Sequence, residues 1–216
     1  MVAQGLERRH TSTIKLVLKA IIFDLGNVII PFDFKRAYAR LEPLCKYSTE
    51  EIRARLRANG LVQRFETGQV DARRFVEEFS GALEFKITYD EFCDLWSCIF
   101  LPEPLIPEVL LESLARRYPL LLLSNTNPIH ISMVRANYPL LGYFRDAVLS
   151  HEVGVAKPSL KIYQEAVRRA GCEARECFFT DDIQLNVDAA RQLGMQAVQF
   201  QSAEQLEHEL RARGAL

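Results

Sequence analysis

Four apolar runs in this chain lead to residues that can do chemistry. Ala20-Ile21-Ile22-Phe23 ends on Asp24, and Leu120-Leu121-Leu122-Leu123 ends on Ser124-Asn125. Ala147-Val148-Leu149 comes shortly before Lys157-Pro158, and Cys177-Phe178-Phe179-Thr180 ends on Asp181-Asp182. Burying an unpartnered carboxylate is costly, so Asp24 is either a satisfied turn residue or a reacting group. The other three stretches favour the second. A carboxylate can attack phosphorus and form an aspartyl phosphate, once its repulsion with the phosphate is reduced. Mg²⁺ does this, and it prefers a few carboxylates together with water and phosphate oxygens. Asp24 with Asp182, and Asp181 beside them, supplies those carboxylates. Lys157 adds positive charge toward the phosphate and the nucleophile. Ser124 and the backbone N–H groups near Asn125 suit phosphate oxygens at a turn that opens a helix. Positioning and neutralising the transferred group is most of what phosphoryl transfer asks of a protein.

Such a set works only if the four runs are strands of one sheet with their carboxyl ends at one edge. That edge is where open α/β sheets bind ligands. Residues 16–23, 120–123, 147–149, 177–180 and 195–200 read as strands, short and apolar. Helices are expected over 108–117, 158–170, 183–193 and 202–213, with Ile183, Val187 and Ala190 facing inward on the third of these. Strands alternating with helices predict an α/β fold with a doubly wound, mostly parallel, Rossmann-like sheet.

Residues 34–101 break that alternation, with helical patterns and no convincing strand. Ser48-Thr49-Glu50-Glu51 and Thr88-Tyr89-Asp90-Glu91 are capping boxes, and Asp71 can cap a helix carrying Phe75, Phe79 and Leu83. Phe34 to Cys45 is helical up to an interruption near Pro43. The block is far longer than one crossover needs. It reads as a helical cap, 34–104, inserted into a core made of 16–33 and 105–216. Candidate substrate contacts on it lie near Gly68 and in the hinge at 31–34. Phe92 and Trp96 read as cap core. His151 follows the third strand near the candidate edge, whereas His10, His130 and His208 read as surface residues.

Composition narrows the function classes. The hydrophobic share is 49% and the charged share 25%, as in ordinary globular proteins. A net charge of −1 argues against a general nucleic-acid binder. No apolar stretch approaches the roughly 20 residues of a membrane span. The polar residues 1–15 read as a partly disordered leader. The five cysteines, without a C-x-x-C pair, read as reduced packing thiols of a cytoplasmic protein.

In this order, each with the right element after it, the four stretches resemble the four motifs of the haloacid dehalogenase superfamily in its phosphatase form. The likeness runs over about residues 16–203. It is nearest to bacterial phosphatases with a D-L-G-N-V motif, of the α-D-glucose-1-phosphate phosphatase kind, whose cap stretch resembles residues 65–71. The resemblance implies Asp24 as nucleophile and the Gly26 backbone carbonyl as a Mg²⁺ ligand with Asp24, Asp181 and Asp182. It implies Ser124 and Lys157 as catalytic phosphate-binding residues, Asn125 as a substrate contact, and Asn186 as the residue that orients the acidic loop. The expected partner is a small phosphorylated metabolite, of which a sugar phosphate is the best class. One residue departs from the pattern. Most of these phosphatases carry an acid two residues after the nucleophile, and Gly26 has no proton to give. General acid catalysis is typically worth about 10² to 10⁴ in rate. Two alternatives therefore stay open: a binding or regulatory module on the same fold, and a metal-independent dehalogenase. The second suits an acidic pair poorly, because it would repel a carboxylate substrate.

Overall fold

The computed structural model describes residues 17–216, so the leader expected at 1–15 lies outside the described residues. Among the described residues β1 (Ala20–Phe23) comes first, and of the six α-helices before the next strand the first five form one block. These are α1 (Phe34–Leu41), α2 (Thr49–Ala58), α3 (Leu61–Glu66), α4 (Ala72–Ala82) and α5 (Tyr89–Ser97). Local chemistry sets their starts. Ser48 and Glu51 form a reciprocal capping box on α2, and Thr88 and Glu91 form another on α5. The Asp71 side chain accepts the Arg74 N–H at the start of α4. The chain tightens into a 3₁₀ turn at Glu42–Leu44, because Pro43 brings no N–H to a continuing α-helical ladder.

The second half alternates. It contains α6 (Glu108–Ala115), β2 (Leu120–Ser124), α7 (Pro128–Asn137), β3 (Asp146–Leu149), α8 (Ser150–Val153), α9 (Leu160–Ala170), β4 (Cys177–Asp181), α10 (Gln184–Gln192), β5 (Gln196–Gln199) and α11 (Ala203–Ala212). All five strands are parallel, in the order β3-β2-β1-β4-β5. Ile22 pairs with Leu121 on one side and Phe179 on the other, so three strand ends finish level.

The strands read as unbroken apolar runs because both faces of the sheet are covered. Ile21, Phe23, Leu120, Leu122 and Phe178 pack on one face with α6, α7 and α11. Their alternating neighbours Ala20, Ile22, Leu121, Leu123 and Phe179 pack on the other with α9 and α10. Helices α1 to α5 hold a separate core. Phe65 stacks on Phe75 with ring centroids 4.0 Å apart, and Phe79, Phe92 and Trp96 close around them. Ile129 of α7 belongs to this cluster, which seats the helical insertion on the sheet domain.

Three details differ from the sequence expectations. Ile183 is not an inward residue of α10 but its N-cap, half exposed at 51%; the helical phase starts one residue later. Strand pairing in β1 begins at Ala20 rather than before it. A single helical turn, α8, follows β3 and is stopped by Gly154 at φ 79°. Among the described residues no helix is long and apolar enough to cross a membrane.

Candidate active site

Level strand ends bring the chemistry-bearing residues together. Asp24 leaves β1 while its N–H still bonds the Thr180 carbonyl of β4 at 2.9 Å. Its Oδ1 accepts the Leu25 N–H at 2.7 Å and meets Lys157 Nζ at 2.7 Å. Lys157 Nζ also lies 2.6 Å from Asp181 Oδ2. The lysine side chain is 1% exposed and Asp181 is fully buried, so one cation sits between two carboxylates away from bulk water.

Each partner of that ion cluster is held from behind. Both side-chain ends of Asn125 bind the Lys157 backbone: Oδ1 accepts its N–H at 2.7 Å, and Nδ2 donates to its carbonyl at 3.0 Å. The Asn125 amide therefore fixes the lysine. The Asp181 carboxylate accepts the Ile183 N–H at 2.9 Å and the Asn186 amide at 3.0 and 3.1 Å. Asp182 points elsewhere, accepting from Asn27 Nδ2 at 3.3 Å. Ser124 Oγ makes only a 3.5 Å contact with its neighbour's carbonyl, at the long limit for a hydrogen bond.

Charge at this edge is unbalanced. Asp24, Asp181 and Asp182 offer carboxylate oxygens within 4.8 Å of one another, against one lysine. Burial pushes the Asp24 carboxyl up, against the pull of Lys157. Burial also raises Asp182. Burial alone would lower Lys157, but the two carboxylates beside it outweigh that and hold it protonated. An oxygen-liganded divalent cation fits this surplus of hard acidic oxygen; Asp24 and Asp182 are the members whose oxygens are least committed to neighbours.

A cavity of about 230 Å³ opens above the cluster, with Asp24, Ser124, Lys157 and Asp182 on the sheet side. The insertion closes it with Val62, Glu66 and Trp96, joined by Phe32 of the hinge. A larger cavity of about 620 Å³ lies inside the insertion and holds none of the charged cluster. The charged residues line the smaller one.

Gly26 abuts this space for a steric reason. A Cβ there would lie 2.6 Å from Phe32 Cε1, so the ring occupies the volume of any side chain at that position. Asn27 takes a left-handed φ of 53°, a conformation Asn tolerates better than most residues. From there it reaches both Asp182 and the Phe32 N–H.

Two cavity-lining residues were not singled out from sequence, although Glu66 falls in the stretch near Gly68 expected to hold substrate contacts. His130, expected at the surface, is 7% exposed and stacks on Trp96 with ring centroids 5.4 Å apart. Its Nδ1 accepts from the Asn127 amide at 3.1 Å, which leaves Nε2 to donate to the Trp96 carbonyl at 3.0 Å. Burial pushes its pKa down to about 4, so it is a neutral tie between the insertion and α7. Glu66, the last residue of α3, lines the cavity. Burial pushes its carboxyl up to about 7. Its neighbour Gly68 is a docking point: a Cβ there would meet the His151 carbonyl oxygen at 2.2 Å. His151 itself binds the Thr126 carbonyl at 3.2 Å and is not among the cavity-lining residues.

Residues 18–194 match the haloacid dehalogenase-like hydrolase family. The chain is 25% identical over 200 residues to a D-ribitol-5-phosphate phosphatase of Bacteroides thetaiotaomicron, covering 90% of this chain and 97% of the relative. A solved HAD family enzyme from the same organism superposes with a TM-score of 0.80 at 26% identity, covering 90% of this chain and 98% of that one. A second structure of that enzyme, described as a complex with magnesium and inorganic phosphate, gives a TM-score of 0.77 at 26% identity over 89% and 98% of the two chains.

Proposed function

Because the chain belongs to the haloacid dehalogenase-like hydrolases, we propose that it is a Mg²⁺-dependent phosphomonoesterase acting on a small phosphorylated sugar or sugar alcohol through an aspartyl-phosphate intermediate. The observation that carries this reading is the buried Asp24–Lys157–Asp181 cluster under a cavity, with Asp182 beside it. The name of the relative from Bacteroides thetaiotaomicron points to a polyol phosphate.

The residues divide the work. Asp24 attacks phosphorus, and Lys157 fixes the attacking carboxylate and offsets phosphoryl charge. The Ser124 hydroxyl donates to a phosphoryl oxygen. Asp24, Asp182 and the Gly26 carbonyl would hold the metal, with Asp181 behind them spending its oxygens on Lys157 and Asn186. When bound, Mg²⁺ supplies the positive charge that lets two anions meet. Phe32, Trp96 and Phe100 wall the cavity with apolar surface, which excludes water from the reacting centre. The helical insertion thus serves as a cap. A haloacid substrate would bring its own carboxylate against three others, which disfavours dehalogenation.

Phosphate release from a panel of sugar and polyol phosphates, with Mg²⁺ and with EDTA, tests the proposal. Release should need both the metal and Asp24. No release above the Asp24→Asn background on any substrate, from folded protein, would replace the phosphatase with a binding module.

A further inference from the structure

A phosphomonoester gives up its alcohol as an alkoxide unless a proton arrives as the P–O bond breaks. The Gly26 position cannot deliver one, because the Phe32 ring fills that space. Among the described residues, five titratable ones line the cavity: Asp24, Glu66, His130, Lys157 and Asp182. Asp24 is the attacking group. Lys157 is locked between two carboxylates. Asp182 faces the metal position. His130 has both ring nitrogens engaged, and the one carrying hydrogen points at the Trp96 carbonyl. Glu66 remains, and nothing but burial acts on its carboxyl.

Its place fits the task. Glu66 lines both cavities, together with Phe34, Val62 and Trp96. These four residues form the neck between the phosphate end and the larger space in the cap. A leaving group extending from a phosphoryl group at Asp24 toward the larger space would pass this neck.

Resting on the phosphatase reading above, we propose that the Glu66 carboxyl is the proton donor to the leaving oxygen, supplied by the cap in place of the missing acid at Gly26. In the first step an Asp24 oxygen bonds to phosphorus and the P–O bond to the alcohol breaks. The electron pair of that bond stays on the leaving oxygen, which takes the Glu66 proton. In the second step water attacks phosphorus, its proton passes to the Glu66 carboxylate, and the P–O bond to Asp24 breaks with its electrons returning to the aspartate. Burial places the Glu66 pKa at about 7, so both protonation states exist near neutral pH. The groups facing it are Lys157, Asp24, Asp182 and His130 across the smaller cavity, and Arg53, Arg57 and Tyr38 across the larger.

The test compares wild type, Glu66→Gln and Asp24→Asn in single turnover with Mg²⁺, on ribitol 5-phosphate and on p-nitrophenyl phosphate. Nitrophenolate leaves well without a proton; the ribitol alkoxide does not. Glu66→Gln should slow alcohol release from ribitol 5-phosphate by ~10² to 10⁴, yet keep nitrophenolate release within about tenfold. Glu66→Asp, which keeps a carboxyl, should recover part of the ribitol rate and its alkaline limb. Equal loss on both substrates would make Glu66 structural, and no loss would make it idle; either overturns the proposal. If wild type matches Asp24→Asn on both substrates, the phosphatase reading itself fails.

Discussion

The two walls of the active cavity are built on opposite plans. On the sheet side, Asp24, Lys157 and Asp181 are buried charges, each tied by ion pairs and hydrogen bonds from several elements. On the cap side, Phe32, Val62, Trp96 and Phe100 present apolar surface around one unpartnered carboxyl, Glu66. The first wall is over-determined, and a buried group held by two or three partners resists drifting from a reacting geometry. The second wall is held by packing, which tolerates change of shape more readily than a buried ion cluster tolerates loss of a member. Under the phosphatase proposal, attack on phosphorus falls to the sheet edge, while the leaving alcohol meets the cap wall.

Removing a charge should separate the walls most sharply. Lys157→Met strands two buried carboxylates, and breaking a buried pair costs about 3–5 kcal/mol. Urea unfolding in EDTA should show that loss, and added Mg²⁺ should recover part of it by binding the same carboxylates. Trp96→Phe on the cap wall should keep stability within about 1.5 kcal/mol while changing the ranking of substrates. Equal stability losses at the two positions would break the contrast.

Glu66 sharpens it with the opposite sign. Its carboxyl sits at about 7 in the fold against an ordinary value of 4.5. Between those values the folded chain keeps a proton that the unfolded chain has lost, so stability falls as pH rises through that window and levels off above it. Glu66→Gln is neutral throughout and escapes the fall. Unfolding at about pH 5 and about pH 8 should show near-equal stability at the lower pH and a gain of up to about 3 kcal/mol for the variant at the higher. A residue whose removal stabilises the fold and slows the reaction is kept for function.

The same division decided what could be read from the chain. The sheet-edge residues were legible because each ends a short run buried on both faces, such as Ala20-Ile21-Ile22-Phe23 before Asp24. The caps at Ser48 and Thr88 were legible because a capping box is local in sequence. His130 was not, and Glu66 was legible only as part of the stretch near Gly68. His130 is buried only because α5 docks on α7, and Glu66 meets the cavity only because α3 ends over the sheet edge. Contacts between distant segments leave no periodic trace. Ile183 was misplaced for a smaller reason: its apolar side chain suggested a helix interior where the backbone makes a cap.

Gly26 gives the smallest effect and joins the two walls, since it belongs to the sheet edge and touches the cap-side ring of Phe32. Gly26→Ala places a methyl group 2.6 Å from Phe32 Cε1. The ring must tilt away from its edge-on contacts with Phe34 and Phe100. Overpacking of this kind costs about 1–3 kcal/mol. Adding Phe32→Leu should return most of that stability, because the smaller side chain vacates the disputed volume. The two changes should then be strongly non-additive in unfolding experiments, as contacting residues are. Additive losses would mean that the glycine answers a backbone demand at the strand end rather than the space claimed by the ring.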